Sequence, residues 1–128
     1  MAQEMLKHLR PEVGVFSRGL YADPNYEIPQ KVLSFLQKHH IVPSTHLSTQ
    51  LSEADLAAAD CVFFMEQAHL DQVLDRFAQY TDKCYLLSEF ATGQAADIPD
   101  PIGLTGRAFE KQAEVLKRLV NACADLIF

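Results

Sequence analysis

The sequence lacks the features that are typical of nucleic-acid-binding, membrane-spanning and secreted proteins. Its 11 Lys and Arg residues against 17 Asp and Glu residues give a net charge of -6, without a basic cluster, which argues against nucleic acid as a partner. No apolar run approaches the roughly 18 residues of a membrane-spanning helix. The N-terminus has neither the basic start nor the apolar core of a signal peptide. We therefore expect a cytoplasmic protein that binds neither nucleic acid nor a membrane.

The cysteines are few and odd in number. Cys61, Cys84 and Cys123 lie in apolar surroundings. Such cysteines are typical of buried thiols in a reducing compartment and do not indicate a disulfide framework. We predict that all three are core residues.

The pattern of apolar residues predicts an α/β fold. A length of 128 residues suits a single domain over residues 1–128. Helices alternate with short apolar runs, and that order favours parallel strands joined by crossover helices. The expected architecture is a small three-layer α/β/α domain with a three-stranded parallel sheet and five helices. Helices are predicted at residues 2–10, from Pro29 to about His40, from Ser52 to Ala58, at 66–80, and along the C-terminal stripe from Phe109 to Ile127; strands are predicted at 13–17, 61–65 and 84–87.

A stiff loop, Asp97–Gly103, follows the last predicted strand. Pro99, Pro101 and Gly103 exclude a helix interior or a central strand there. In a parallel sheet, ligands bind beyond the carboxyl ends of the strands, where this loop should emerge. Asp100 is therefore a candidate general acid that we expect to be partly exposed. The alternative is a turn in which the Asp side chains accept hydrogen bonds from nearby amides.

Other polar groups give weaker signals. His39, His40 and His46 share no ligand-type spacing with a Cys or a carboxylate, so we interpret them as exposed loop histidines. Glu66 and His69 lie on one helix face, where a surface pair is the simpler interpretation. We expect neither a metal ion nor a cofactor. Tyr21 and Tyr26 could line a cleft or pack on a helix, and the sequence leaves both possibilities open.

Five segments, in their order and spacing, resemble the low-molecular-weight protein tyrosine phosphatases. Met1–Leu6 is similar to the segment directly after that family's phosphate-binding signature, and Asp100-Pro101-Ile102-Gly103 resembles its Asp-Pro-aromatic-Gly loop. The other three segments are Ser17–Ala22, Ser44–His46 and Asp55–Met65. The resemblance runs over nearly the whole chain and implies that family's α/β fold. It also implies that Asp100 is the general acid and that Ser17 and Tyr21 border the substrate.

The departures from the family pattern concern the chemistry itself. The family's nucleophile is the cysteine of a Cys-x5-Arg motif, in which the loop amides and the Arg hold the phosphate oxygens. In this sequence Gln67 and Phe90 stand six residues after Cys61 and Cys84, and no residue lies that far beyond Cys123. Two further departures are Arg18 for a small residue and Ile102 for the aromatic.

These departures predict a truncated, phosphatase-like protein that is catalytically inactive as given. Asp100 would then be a vestigial general acid. The alternative is an active phosphotyrosine phosphatase whose own N-terminus carries the missing loop, or a related arsenate reductase or protein-arginine phosphatase. With the loop restored, the partners would be a phosphorylated protein or a small phosphomonoester.

The resemblance also predicts an incomplete sheet. The family's first strand would lie between the strands at 13–17 and 61–65, and adjacent strands are about 4.8 Å apart. We expect these two strands either to pair directly or to be covered by a second copy of the chain. Closure would expose the apolar face of the first helix at Ala2, Met5, Leu6 and Leu9. An exposed apolar face favours a homodimer, with residues 1–20 in its interface.

Overall fold

A computed structural model of the protein describes residues 1–23, 27–43 and 48–127. The chain divides into two compact units, one made of Met1–Gln50 with Asp100–Phe128 and the other of Leu51–Pro99. The single domain expected over the whole chain stays a prediction. The regular elements are α1 (Ala2–Leu9), α2 (Gln30–Lys38), α3 (Glu53–Ala58), β1 (Val62–Phe64), α4 (Gln67–Arg76), β2 (Cys84–Leu86), α5 (Leu87–Thr92) and α6 (Gly106–Leu126), with 3-10 helices at Ala78–Lys83 and Pro101–Gly103.

In the first unit, the long helix α6 provides much of the core. Its apolar residues recur at intervals of three and four, so they form one stripe on a helical surface. α1 packs against α6. Arg10 follows α1 and donates from Nη1 to the carbonyl oxygens of Ala124 and Ile127, each at 2.7 Å, which satisfies carbonyls at the end of α6. The buried residues of the stripe are Phe109, Ala113, Leu116, Val120, Cys123 and Ala124.

Helix α2 ends in a Schellman motif. The His40 amide donates to the Gln37 carbonyl at 3.0 Å, and the Ile41 amide donates to the Leu36 carbonyl at 2.8 Å. This geometry requires a left-handed residue between them, and His40 supplies it with φ of 60°. Ile41 is then buried beside the buried face of α2.

The second unit is built around a two-stranded parallel sheet. The register pairs Val62 with Cys84 and Phe64 with Leu86. The helix before the sheet, α3, begins at a complete capping box, in which Ser52 Oγ accepts from the Asp55 amide and the Asp55 carboxylate accepts from the Ser52 amide. The sequence predicted this start correctly, because both partners are local.

The expected count of three strands and five helices is wrong. Within the described residues there are two strands, six α-helices and two 3-10 helices. Residues 14–18 have no regular secondary structure, and the nearby pairing is a single parallel bridge between Gly19 and Gln50. A strand exists only through a ladder partner, and Gly14 adds no side chain to hold one. Direct pairing of residues 13–17 with 61–65 is therefore also wrong.

Three smaller expectations fail as well. The helix predicted at 66–80 ends at Arg76 and is followed by a 3-10 helix, and Leu87 begins α5 instead of ending a strand. β1 is not buried throughout, since only Phe64 of its three residues is fully buried. The first helix does not turn its apolar face outward: Met5 is 1% exposed, although Leu9 at the helix end is 41% exposed.

Candidate active site

The candidate site is built around the Asp100 loop. Asp100 is exposed and caps the 3-10 helix Pro101–Gly103, because its Oδ1 accepts from the Ile102 amide at 2.9 Å. The turn interpretation of this loop is thus correct for one carboxylate oxygen. Asp97 has a different role, since its Oδ1 accepts from the Gln67 amide at 2.8 Å, at the start of α4. Of the two loop carboxylates, Asp100 is the one that remains a candidate general acid.

A lysine that the sequence did not single out holds this loop. Lys31 of α2 donates from Nζ to the carbonyl oxygens of Ile102 and Leu104, the second at 2.6 Å. The same ammonium lies 5.4 Å from the ring centroid of Phe109 in α6. No pattern in the sequence marks this lysine, because its partners are backbone carbonyls more than 70 residues away.

A small pocket of about 130 Å³ lies beside the loop. One wall is aliphatic, and the other carries the polar groups at the start of α1. Ser17, a predicted substrate-binding residue, lines the pocket and donates from Oγ to Gln3 Oε1 at 2.7 Å. The lining residues are Met1, Gln3, Glu4, Ser17, Ile28, Pro29, Val32, Leu36 and Ile102.

Charges of both signs meet at this pocket. Burial lowers the pKa of the Met1 α-amino group, while the carboxylates of Asp100 and Glu4 oppose that shift. Asp100 therefore lies near the polar end of the pocket. No side chain caps α1, whose N-cap residue is Met1, so the first-turn amides lack a side-chain cap at the end where helices bind anions. The arrangement places the Asp100 carboxylate near the uncapped N-terminus of α1.

None of the three cysteines lines this pocket. Cys84 lies in β2, where burial raises the pKa of its thiol against the opposing charge of Lys83. Cys123 is buried within α6. Both are core residues, as predicted. Cys61 is exposed just before β1, so its predicted burial is wrong. None of the three lies at a helix N-terminus, the position that lowers a thiol pKa.

Of the other predicted site residues, some are described by the structure and some are not. Tyr21 is 84% exposed, so it does not pack on a helix. Tyr26 and the segment Ser44–His46 lie outside the described residues. Arg18, the first departure from the family pattern, points its guanidinium at the Phe16 ring, 4.6 Å from the centroid.

The interpretation as exposed loop histidines is correct for His40 and wrong for His39, whose side chain is 21% exposed and packs on the Phe35 ring at the end of α2. Glu66 and His69 form the expected surface pair, with Oε2 and Nδ1 3.5 Å apart. His39 Nε2 lies 3.1 Å from Glu114 Oε1, but the angles are not those of a hydrogen bond. Across residues 1–23, 27–43 and 48–127, no group of three or more His, Cys, Asp or Glu side chains could hold a metal ion. In the same residues, no helix has both the length and the apolar character of a membrane span.

Comparison with solved structures defines the class of fold. The structure of the YwlE arginine phosphatase from Geobacillus stearothermophilus superposes with a TM-score of 0.87 and 28% identity, over 97% of this chain and 80% of that chain. A low-molecular-weight protein tyrosine phosphatase from T. tengcongensis superposes with a TM-score of 0.87 and 26% identity, over 98% of this chain and 88% of that chain. The fold is thus that of the small cysteine-dependent phosphatases.

The sequence comparisons give the family. The protein-arginine-phosphatase of Bacillus subtilis (strain 168) is 30% identical over 129 residues, which cover 97% of this chain and 85% of that protein. The family model described as low molecular weight phosphotyrosine protein phosphatase matches residues 1–127. The chain belongs to this family. The match begins at residue 1, so it gives no support to the expected truncation.

Proposed function

We propose that this chain, with the sequence it has, adopts the fold of a low-molecular-weight phosphatase but does not hydrolyse phosphomonoesters by itself. The observation that carries the proposal is that no cysteine of the sequence begins a Cys-x5-Arg motif. A thiolate nucleophile needs a lowered pKa, and the phosphate oxygens need donors that are arranged before the reaction. Burial instead raises the pKa of Cys84.

The exposed carboxylate of Asp100 does not replace these groups. General acid catalysis contributes about 10²–10⁴-fold, and it protonates the leaving group as a nucleophile displaces it, so it has no effect without an attacking group. The Ser17 hydroxyl is no substitute nucleophile, since it donates to the Gln3 amide oxygen and not to a base.

Hydrolysis of para-nitrophenyl phosphate at mildly acidic pH by the purified chain tests the proposal. We expect no turnover above the buffer blank, and the Bacillus subtilis relative serves as the positive control. Turnover that co-purifies with the chain and disappears in Cys61→Ser or Cys84→Ser would refute the proposal. The variant Cys123→Ser tests the third thiol in the same way.

A second candidate function follows from what the site retains. We propose that an upstream segment carrying Cys-x5-Arg would make this chain an active phosphomonoester phosphatase with Asp100 as its general acid. Two observations favour it: Asp100 is exposed near the polar end of the pocket, and the first turn of α1 has no side-chain cap. An N-terminal extension with that motif should confer turnover, and Asp100→Asn should then reduce kcat by about 10²–10⁴-fold. Equal activity of the Asn variant would refute the role of Asp100.

The extended chain would also discriminate between substrates. Ile102 places an aliphatic wall where the family pattern has an aromatic, and this wall suits the methylenes of an arginine better than a phenyl ring. We propose phosphoarginine as the preferred substrate and expect Ile102→Phe to shift the ratio of kcat/KM values towards phosphotyrosine. An unchanged ratio would show that Ile102 does not determine the preference.

We propose a homodimer that uses residues 1–20. Within that range, Leu9 and Phe16 are 41% and 47% exposed, and they are the large apolar side chains available for contact. A monomer of 14.4 kDa in sedimentation equilibrium at micromolar concentration would exclude this dimer.

A cytoplasmic location is proposed from the three free thiols, of which Cys61 is exposed. Recovery of the chain in a membrane or secreted fraction would contradict it.

A further inference from the structure

The Asp100 carboxylate is oriented by the backbone amide of Ile102, a residue whose carbonyl is held by another helix. Asp100 Oδ1 accepts from the Ile102 amide at 2.9 Å, and the carbonyl of the same residue, Ile102, accepts from Lys31 Nζ. Two carbonyls therefore converge on one ammonium, since Leu104 supplies the second at 2.6 Å. A shift of the Ile102 backbone would move the amide donor that fixes Asp100.

The lysine is itself anchored in the first unit's core. Its neighbour on α2, Val32, is 2% exposed, and Phe35 one turn later is 1% exposed. The ammonium lies over the ring of Phe109, which is 3% exposed, and that ring meets Phe35 edge to face with centroids 6.2 Å apart. A cation over an aromatic face is attracted to it, so the Lys31 head group has a defined place.

The bonds from Lys31 are stronger than the local hydrogen bond within the turn. Within it, the Leu104 amide donates to the Pro101 carbonyl at 2.9 Å, which is a local bond between neutral groups. Hydrogen bonds from a charged donor are roughly twice as strong as neutral ones. The two bonds from Lys31 also connect the turn to a different helix, α2.

We propose that Lys31 is a positioning residue, which clamps residues 101–104 and thereby fixes the Asp100 carboxylate. The proposal rests on the assignment of Asp100 as the general acid of this fold. Lys31 acts on Asp100 indirectly, through the backbone of Ile102. Its removal should loosen the turn while the helices on either side keep their structure.

The test uses the isotope-labelled chain in NMR and needs no turnover. In Lys31→Met, which keeps the stem and removes the donors, amide exchange at Ile102 and Leu104 should accelerate about tenfold or more. The scalar coupling across the hydrogen bond from the Ile102 nitrogen to the Asp100 carboxyl carbon should disappear. Exchange at Phe35 and Leu116, inside α2 and α6, should stay unchanged.

Two variants control the experiment. Lys38→Met removes an exposed lysine of the same helix, whose Nζ lies 3.7 Å from Glu110, and it should leave the Asp100 loop as in the wild type. Lys31→Arg keeps the charge and the donors, so it should restore the coupling to Asp100. A lysine that only adds to overall stability would accelerate exchange throughout the chain and leave the coupling intact.

The wild-type protein gives a check that does not depend on folding of a variant. The Lys31 ammonium protons should exchange with water more slowly than those of Lys38. Equal exchange of the two ammonium groups, a coupling that survives in Lys31→Met, or a uniform acceleration in that variant would each overturn the proposal. None of these readouts involves catalysis. The Lys31 proposal can therefore be refuted while the proposed inactivity is upheld, and the proposed inactivity can be refuted while the Lys31 proposal is upheld.

Discussion

Replacement of His40 by glycine should stabilise the protein. His40 occupies the left-handed position of the Schellman motif at the end of α2, with φ of 60°. The motif is otherwise complete, since the amides of His40 and Ile41 donate to the carbonyls of Gln37 and Leu36 at 3.0 and 2.8 Å. Glycine therefore changes the residue that carries the strain and leaves both hydrogen bonds in place.

Two opposing contributions set the magnitude. A residue with a Cβ costs about 1–2 kcal/mol in the left-handed helical region relative to glycine. Glycine also increases the entropy of the unfolded chain, which reduces the gain in the free energy of unfolding by about 0.4–1 kcal/mol. The net expectation for His40→Gly is a gain of about 0.5–1 kcal/mol in the free energy of unfolding, or about 2–5 °C in Tm for a domain of this size.

Urea denaturation monitored by circular dichroism measures this gain. The matched control is His40→Ala, which removes the imidazole but keeps the Cβ, so it should be no more stable than the wild type. A glycine variant that is no more stable than the alanine variant would refute the reasoning. Either result would show whether the backbone or the imidazole is responsible.

Two further predictions concern other parts of the chain. With Ellman's reagent under native conditions, Cys61 should react quickly because it is exposed. Cys84 should react slowly, because burial raises its pKa and lowers the thiolate fraction at a given pH. Fast labelling that survives Cys61→Ser would contradict this order. Ser52→Ala should cost about 1 kcal/mol in the free energy of unfolding, because it removes the hydroxyl that caps α3. Ser52→Thr keeps a hydroxyl, and an equal loss in that variant would show that the capping bond is not the cause.

The elements that the sequence predicted correctly depend on neighbours in the chain. The capping box at Ser52 and the apolar stripe of α6 are local patterns, and both are present as expected. The two apolar runs at 61–65 and 84–87 contain the two observed strands, because short runs of β-branched and aromatic residues favour a strand locally.

The elements that it missed depend on distant partners. Residues 13–17 have the composition of a strand, but a strand also requires a neighbour, which no local pattern identifies. The Lys31 clamp and the cap from Asp97 to the Gln67 amide involve backbone atoms far away in the sequence, and any residue can offer those atoms. Asp100 could be proposed from the Asp-Pro-x-Gly pattern, whereas its orientation could not.

The central claim is that no side chain of this chain acts as the nucleophile in phosphoryl transfer. Intact-mass measurement after an acid quench tests it most directly, since a cysteine nucleophile would carry the phosphoryl group for part of each turnover. The chain would be mixed with para-nitrophenyl phosphate and, separately, with a phosphoarginine peptide, and the Bacillus subtilis relative would be treated in parallel. The account predicts an unmodified mass for this chain with both substrates. A phosphoryl adduct that maps to Cys61, Cys84 or Cys123 would contradict it.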